Sequence, residues 1–144
     1  MPAWVNSGFS EYARRLPAQC ALELREVALI KRTKNTDTRR AQLAEGTRML
    51  DAVGRGDRIV ALEVNGHGWS TETLAQKISS WSGSGCNVSL LVGGPEGMLP
   101  EISDRAELKW SLSPLTLPHP LVRIVVAEQI YRAWTILEHH PYHR

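Results

Sequence analysis

Apolar runs of strand length alternate with amphipathic runs of helix length along this chain, and that alternation constrains the fold more than any other feature. Leu22 and Leu24 alternate with Glu23 and Arg25, and Val27 to Ile30 prolong the apolar character, which predicts a strand near 21–29. Ile59 to Leu62, within Arg58 to Val64, and Val88 to Val92 are apolar without alternation, the pattern of strands buried on both faces. Between them, Trp4, Val5, Phe9, Tyr12, Ala13 and Leu16 recur at helical spacing until Pro17. A second helix follows the stretch Lys31 to Arg40 and runs through Val53, with Gly54 as its stop. A third starts at Ser70 or Thr71, carries Leu74, Ile78 and Trp81 on one face and closes at Gly83-Ser84-Gly85. Strands separated by helices cannot pair as hairpins, so the expected fold is α/β with a mainly parallel sheet.

The remaining segments are less regular. Asn65-Gly66-His67-Gly68 reads as a tight loop that ends the preceding strand. Pro100 to Glu107 suits a short helix, Lys109 to Leu112 a brief extended stretch, and Leu112 to Pro120 an irregular loop. From Leu121 to Leu137 the chain is apolar almost all the way round, which predicts a helix buried on two sides.

At 144 residues the chain has room for one core, so residues 1–144 are expected to form a single domain. A formal charge of +2 permits nucleic-acid binding without requiring it. The basic charge is concentrated in Lys31, Arg32, Lys34, Arg39 and Arg40, which suits either a solvated face or contacts to phosphates. Cys20 and Cys86 are the only cysteines and form no C-x-x-C spacing, so reduced thiols are expected and neither a disulfide framework nor a thiolate metal site. No charged-then-apolar leader is present and no apolar run approaches the roughly 18 to 20 residues that cross a bilayer, so a cytoplasmic location is expected. His139, His140 and His143 raise the idea of a metal-dependent hydrolase, but Pro141 interrupts them and the helical H-E-x-x-H spacing is absent; no metal is expected.

Two features could carry chemistry. Gly93-Gly94-Pro95-Glu96-Gly97 follows a buried strand and would let a ligand approach the backbone, although it matches no phosphate-binding fingerprint and would serve equally as a plain turn. The connection Trp110 to Pro120 is long, apolar and proline-stiffened. Such a loop either threads its own core or encloses a ligand that is partly apolar and partly hydrogen-bonding, such as an adenosine moiety.

Leu91-Val92-Gly93-Gly94-Pro95-Glu96-Gly97, then Trp110 to Pro120, then Tyr131-Arg132-Ala133-Trp134 and finally His140-Pro141-Tyr142-His143-Arg144 together resemble the RlmH family of bacterial large-subunit (23S) ribosomal RNA pseudouridine N3-methyltransferases. The resemblance runs from Met1 to Arg144 and implies an α/β SPOUT fold whose carboxy-terminal part forms a deep trefoil knot, an exception to unthreaded connections, with the knot and cofactor region at about 88–138. Members of that family begin with a strand ahead of the Met-Pro-x-Trp-Val stretch, whereas Met1-Pro2-Ala3-Trp4-Val5 opens this chain, so that first strand is expected to be missing.

The resemblance further implies S-adenosylmethionine as cofactor, held by Leu62, Gly93, Gly94, Leu112, Ser113, Pro114, Leu115, Thr116 and Leu117. For that reaction, a cation beside the ring oxygens, an imidazole to take the proton and a stacking ring make His119, Arg123, Tyr142, His143 and Arg144 the candidate residues serving the RNA and its proton, with no single base assigned. It implies a homodimer in which one subunit holds the cofactor and the tail of the other helps to hold the RNA within the ribosome. The two-sided apolar helix agrees with such a dimer. The competing expectation is an RNA-binding protein that has lost catalysis, which S-adenosylmethionine affinity separates from an enzyme.

Overall fold

The computed structural model describes residues 1–94 and 96–143, His143 by its backbone alone. Two compact units emerge: residues 25–68 with 86–115, and residues 1–24 with 69–85 and the chain from Thr116 onward.

The first unit holds the sheet. Its strands β1 (Arg58–Gly68), β2 (Val88–Val92) and β3 (Leu108–Ser111) are parallel and ordered β2-β1-β3. Central β1 is covered on both faces, with Val60 and Ala61 both fully buried, which explains a run without polar alternation. Burying a side chain such as Val60 contributes about 1.5–3 kcal/mol. Asn65-Gly66 does not end this strand as expected. Leu62 and His67 both pair with Trp110, so Glu63 to Gly66 form an excess that bulges out before pairing resumes at Gly68 and Ser111. A Cβ at Gly66 would lie 2.7 Å from the Lys109 carbonyl, and only glycine permits that approach.

Helix α2 (Thr38–Ala52) begins where Asp37 accepts a hydrogen bond from the Arg40 amide at 3.1 Å and ends at Val53, after which the Gly54 amide donates to Asp57. The strand expected at 21–29 does not form. Its alternation lacks a neighbouring ladder, and side chains of α2 hold the backbone at and just beyond its end instead. Arg48 donates to the Ala28 carbonyl at 2.8 Å and Glu45 accepts from the Ile30 amide at 2.9 Å. Leu29, which a sheet face would cover, is 61% exposed. The short helix is a single turn, α4 (Pro100–Ser103), and β3 follows directly, with Arg58 of β1 gripping Glu107 at 2.6 and 3.0 Å.

The second unit is helical: α1 (Ala3–Ala13), α3 (Thr71–Ser84) and α5 (His119–Leu137), with 3-10 turns at Ala18–Cys20 and Pro141–His143. Ser70 caps α3 through the Thr73 amide at 3.0 Å, and Gly85 closes it in the left-handed region. Helix α5 starts two residues before the expected Leu121, because Pro120 in its first turn loses no hydrogen bond there and has its φ already set. Its buried residues include Val126, Ala127, Tyr131 and Ala133, and it packs against both α1 and α3. Its apolar surface is covered only in part within the chain: Leu121 is 41% exposed, and Val122, Ile124, Val125 and Ile130 are half-buried.

Helix α5 ends in a Schellman arrangement: the His139 amide donates to Ile136 and the His140 amide to Thr135 at 2.8 Å, with His139 at φ 57°. Pro141 follows and turns the tail back, so that the Tyr142 ring meets Tyr131 edge-on at 4.6 Å. Among the described residues, no helix is long and apolar enough to cross a membrane.

Candidate functional site

Parallel strands deliver all their carboxyl ends to one edge of the sheet, where α/β proteins bind ligands. The register sets Leu62 opposite Val92 on one side and Trp110 on the other. Gly93 and Gly94 therefore leave the edge just beyond one neighbour of Leu62, and Leu112 to Leu115 just beyond the other. Of the residues expected to hold a cofactor, these seven share one unit and one sheet edge, while Thr116 and Leu117 belong to the helical unit.

The glycine turn is tight. The Gly97 amide donates to the Gly94 carbonyl at 3.0 Å, Gly97 sits at φ 81°, and a Cβ on Gly93 would lie 2.7 Å from the Gly97 carbonyl carbon. Pro95 lies outside the described residues. The turn is gripped by Arg32, whose Nε and Nη2 donate to the two Glu96 oxygens at 3.2 and 2.5 Å. The same guanidinium donates to both Glu45 oxygens at 2.6 and 2.9 Å. Glu45 is 5% exposed, and its carboxyl is held below the usual glutamate range by the Arg32 hydrogen bonds, helped by the Ile30 amide and opposed by burial. Arg32 likewise lowers the Glu96 carboxyl.

The loop after β3 departs from the expectation of burial. Pro114 and Thr116 are exposed and Leu115 is 70% exposed. Its local support is Ser111 Oγ donating to the Ser113 carbonyl and the Leu115 amide donating to Ser113 Oγ, both at 3.0 Å. Pro114 and Pro118 stiffen it and lack amide donors, so it holds a shape without a covering layer.

In the helical unit, His119 and Arg123 are one turn apart on α5, and Arg123 Nε donates to His119 Nε2 at 3.0 Å. The Tyr142 hydroxyl donates to Glu128 at 2.9 Å and Arg132 lies 5.1 Å from its ring centre. Burial, then the bond to Glu128, pushes the Tyr142 phenol up to about 12, so at neutral pH it is a donor and not a base. The His143 side chain and Arg144 lie outside the described residues.

The basic segment is partly consumed within its own unit, since Arg32 pairs with Glu45 and Glu96, and Arg39 with Glu101; Lys31, Lys34 and Arg40 are exposed. Glu45 was missed by the sequence reading. Its signal was an acid four residues after Ala41 on the buried stripe of α2. Neither cysteine is in a disulfide, and no group of His, Cys, Asp and Glu among the described residues could hold a metal ion.

The parallel sheet carries a glycine turn and a proline-stiffened loop at its carboxyl edge, and the sequence defines the class: this chain belongs to the family of predicted SPOUT methyltransferases, whose sequence model matches residues 1–143. Among its relatives, the ribosomal RNA large subunit methyltransferase H of Pseudomonas putida strain F1 is 58% identical over 144 residues, all of this chain and 93% of the relative. The proteins of that name from Azotobacter vinelandii and Methylococcus capsulatus are 57% and 56% identical over the same shares.

Proposed function

We propose that this chain is an S-adenosylmethionine-dependent methyltransferase that methylates N3 of a pseudouridine in large-subunit ribosomal RNA. The observation that carries the reading is the meeting of Leu62, Gly93 and the 112–115 loop at one sheet edge in a member of the SPOUT family. The residues suit this cofactor: a glycine turn exposes backbone groups for hydrogen bonding, and Leu115 offers apolar surface to an adenosine. Leu62, Gly93, Gly94 and Leu112 to Leu117 are the proposed contacts, in a knotted carboxy-terminal region at about 88–138.

The cofactor supplies an electrophilic methyl on a sulfonium. The protein's task is to orient the pseudouridine for in-line attack and to remove the N3 proton. With Arg123 donating to Nε2, His119 accepts there and carries its own proton on Nδ1. Arg123 thereby fixes the ring's orientation and tautomer. Tyr142 presents a protonated phenol, and the proposed roles of His143 and Arg144 are those of a proton-accepting ring and a phosphate-binding fork. On this reading the enzyme is a cytoplasmic homodimer acting within the ribosome, its site completed by the second subunit's tail. No metal takes part.

Isothermal calorimetry of the full chain is expected to show saturable binding of S-adenosylmethionine and S-adenosylhomocysteine with about one site per chain. A folded protein without affinity for either is an RNA binder and not this enzyme.

A further inference from the structure

Building on that reading, we infer that Arg32 is a positioning residue for methyl-donor binding, holding Glu45 and Glu96 at once and so fixing the Gly93–Gly97 turn in the form that meets the donor. A guanidinium has five N–H donors, and here five acceptor contacts are present. Nε reaches Glu96; Nη1 reaches Glu45 and the Ile30 carbonyl at 2.6 Å each; Nη2 reaches Glu45 and Glu96. A guanidinium so committed has none left for a backbone phosphate, one of the two roles that the basic segment suited. It is a bracket between a helix and a turn.

The turn needs such a bracket. Gly93, Gly94 and Gly97 lose more conformational freedom on ordering than other residues, and among the described residues the internal tie is the Gly94–Gly97 bridge. External ties supply the rest. Glu96 is drawn to Arg32, and the Gln42 amide lies 3.4 Å from the Glu96 and Gly97 carbonyls. Gly94 lies against Glu45, where a Cβ would stand 3.3 Å from Oε1. The bracket is rooted in α2 because Glu45 is buried and both its oxygens are engaged, one of them also by the Ile30 amide. Donor binding to a pre-shaped turn avoids the ordering cost that a loose one imposes at the moment of binding.

Glu96 is partly exposed and at a turn, so changing it tests the bracket without emptying the core. The probe is S-adenosylhomocysteine titrated calorimetrically into the full chain, with the melting temperature of each ligand-free variant measured alongside. Glu96→Ala is expected to weaken binding about tenfold or more while the melting temperature changes little. Arg32→Lys, which keeps the charge but not the planar fork, is expected to weaken it similarly. Glu96→Gln, which keeps an acceptor, is expected to recover part of the loss. The inference is overturned if Glu96→Ala and Arg32→Lys bind within about twofold of the parent, or if affinity merely follows melting temperature across the variants. A folded parent that binds no S-adenosylhomocysteine removes the functional reading itself, and this inference with it.

Discussion

Deleting Pro141 to Arg144 is expected to lower methyl transfer to large-subunit RNA by about three orders of magnitude while donor affinity stays within about twofold of the parent. The proposed donor contacts end at Leu117, whereas the tail carries groups suited to RNA. The deletion has a second cost. Tyr142 packs against Tyr131 and donates to Glu128, so its loss uncovers an aromatic face and is expected to remove about 1 kcal/mol, a fall in melting temperature of about 2–4 °C. Tyr142→Phe separates the contributions, since it keeps the ring contact and loses only the hydroxyl bond. Measuring melting temperature, donor affinity and turnover on the same truncated protein decides the matter. Stability and donor affinity falling together would make the tail a cap on α5; unchanged turnover would remove it from the reaction.

Gly93→Val is expected to weaken S-adenosylhomocysteine binding by about a hundredfold or more with the fold retained. Any Cβ there stands 2.7 Å from the Gly97 carbonyl carbon and 2.9 Å from the Met98 amide nitrogen. Both are backbone atoms, which cannot swing aside as a side-chain tip can, so the turn must reopen. Far-ultraviolet circular dichroism and calorimetry on the same sample check this; parental affinity would take the turn out of the donor site. The proposed homodimer adds a sharper result. Coexpressed Gly93→Val and tail-deleted chains, each inactive alone, are expected to regain activity, because a mixed dimer holds one intact donor turn and, on the other chain, one intact tail. Absence of recovery in purified mixed dimers would mean that each chain works with its own tail.

Much of the fold was legible because its signals are local. Helices α1 and α3 follow from periodicity, α2 from the stop at Gly54, and α5, β1 and β2 from continuous apolar runs, while Ser70 and Gly85 mark the ends of α3 as their chemistry demands. What failed was whatever depends on a distant partner. Alternation at 21–29 reports an apolar face but not whether a ladder lies beside it, and here Arg48 and Glu45 of α2 bond instead to Ala28 and Ile30 at the end of the segment. Gly66 signalled an irregularity; that it marks a close approach to Lys109 and not a strand end depends on a residue far along the chain. Prolines in the 112–118 loop suggested burial because stiffness and burial often coincide, yet serine side chains suffice to hold it. For the proposed site, Gly93 and the 112–117 loop were singled out through the order of motifs. Arg32 was not, since its partner Glu96 lies 64 residues away and a basic cluster reads the same whether its charges meet phosphate or carboxylate.

The central claim is the chemistry at N3 of a pseudouridine. Its most direct test is mass-spectrometric mapping of modified nucleosides in large-subunit ribosomal RNA from cells with the gene, without it, and with it restored. N3-methylpseudouridine is expected at one position when the gene is present, absent when it is deleted, and regained on restoration. Its persistence in the deletion strain, or its absence from all of them, would contradict the account.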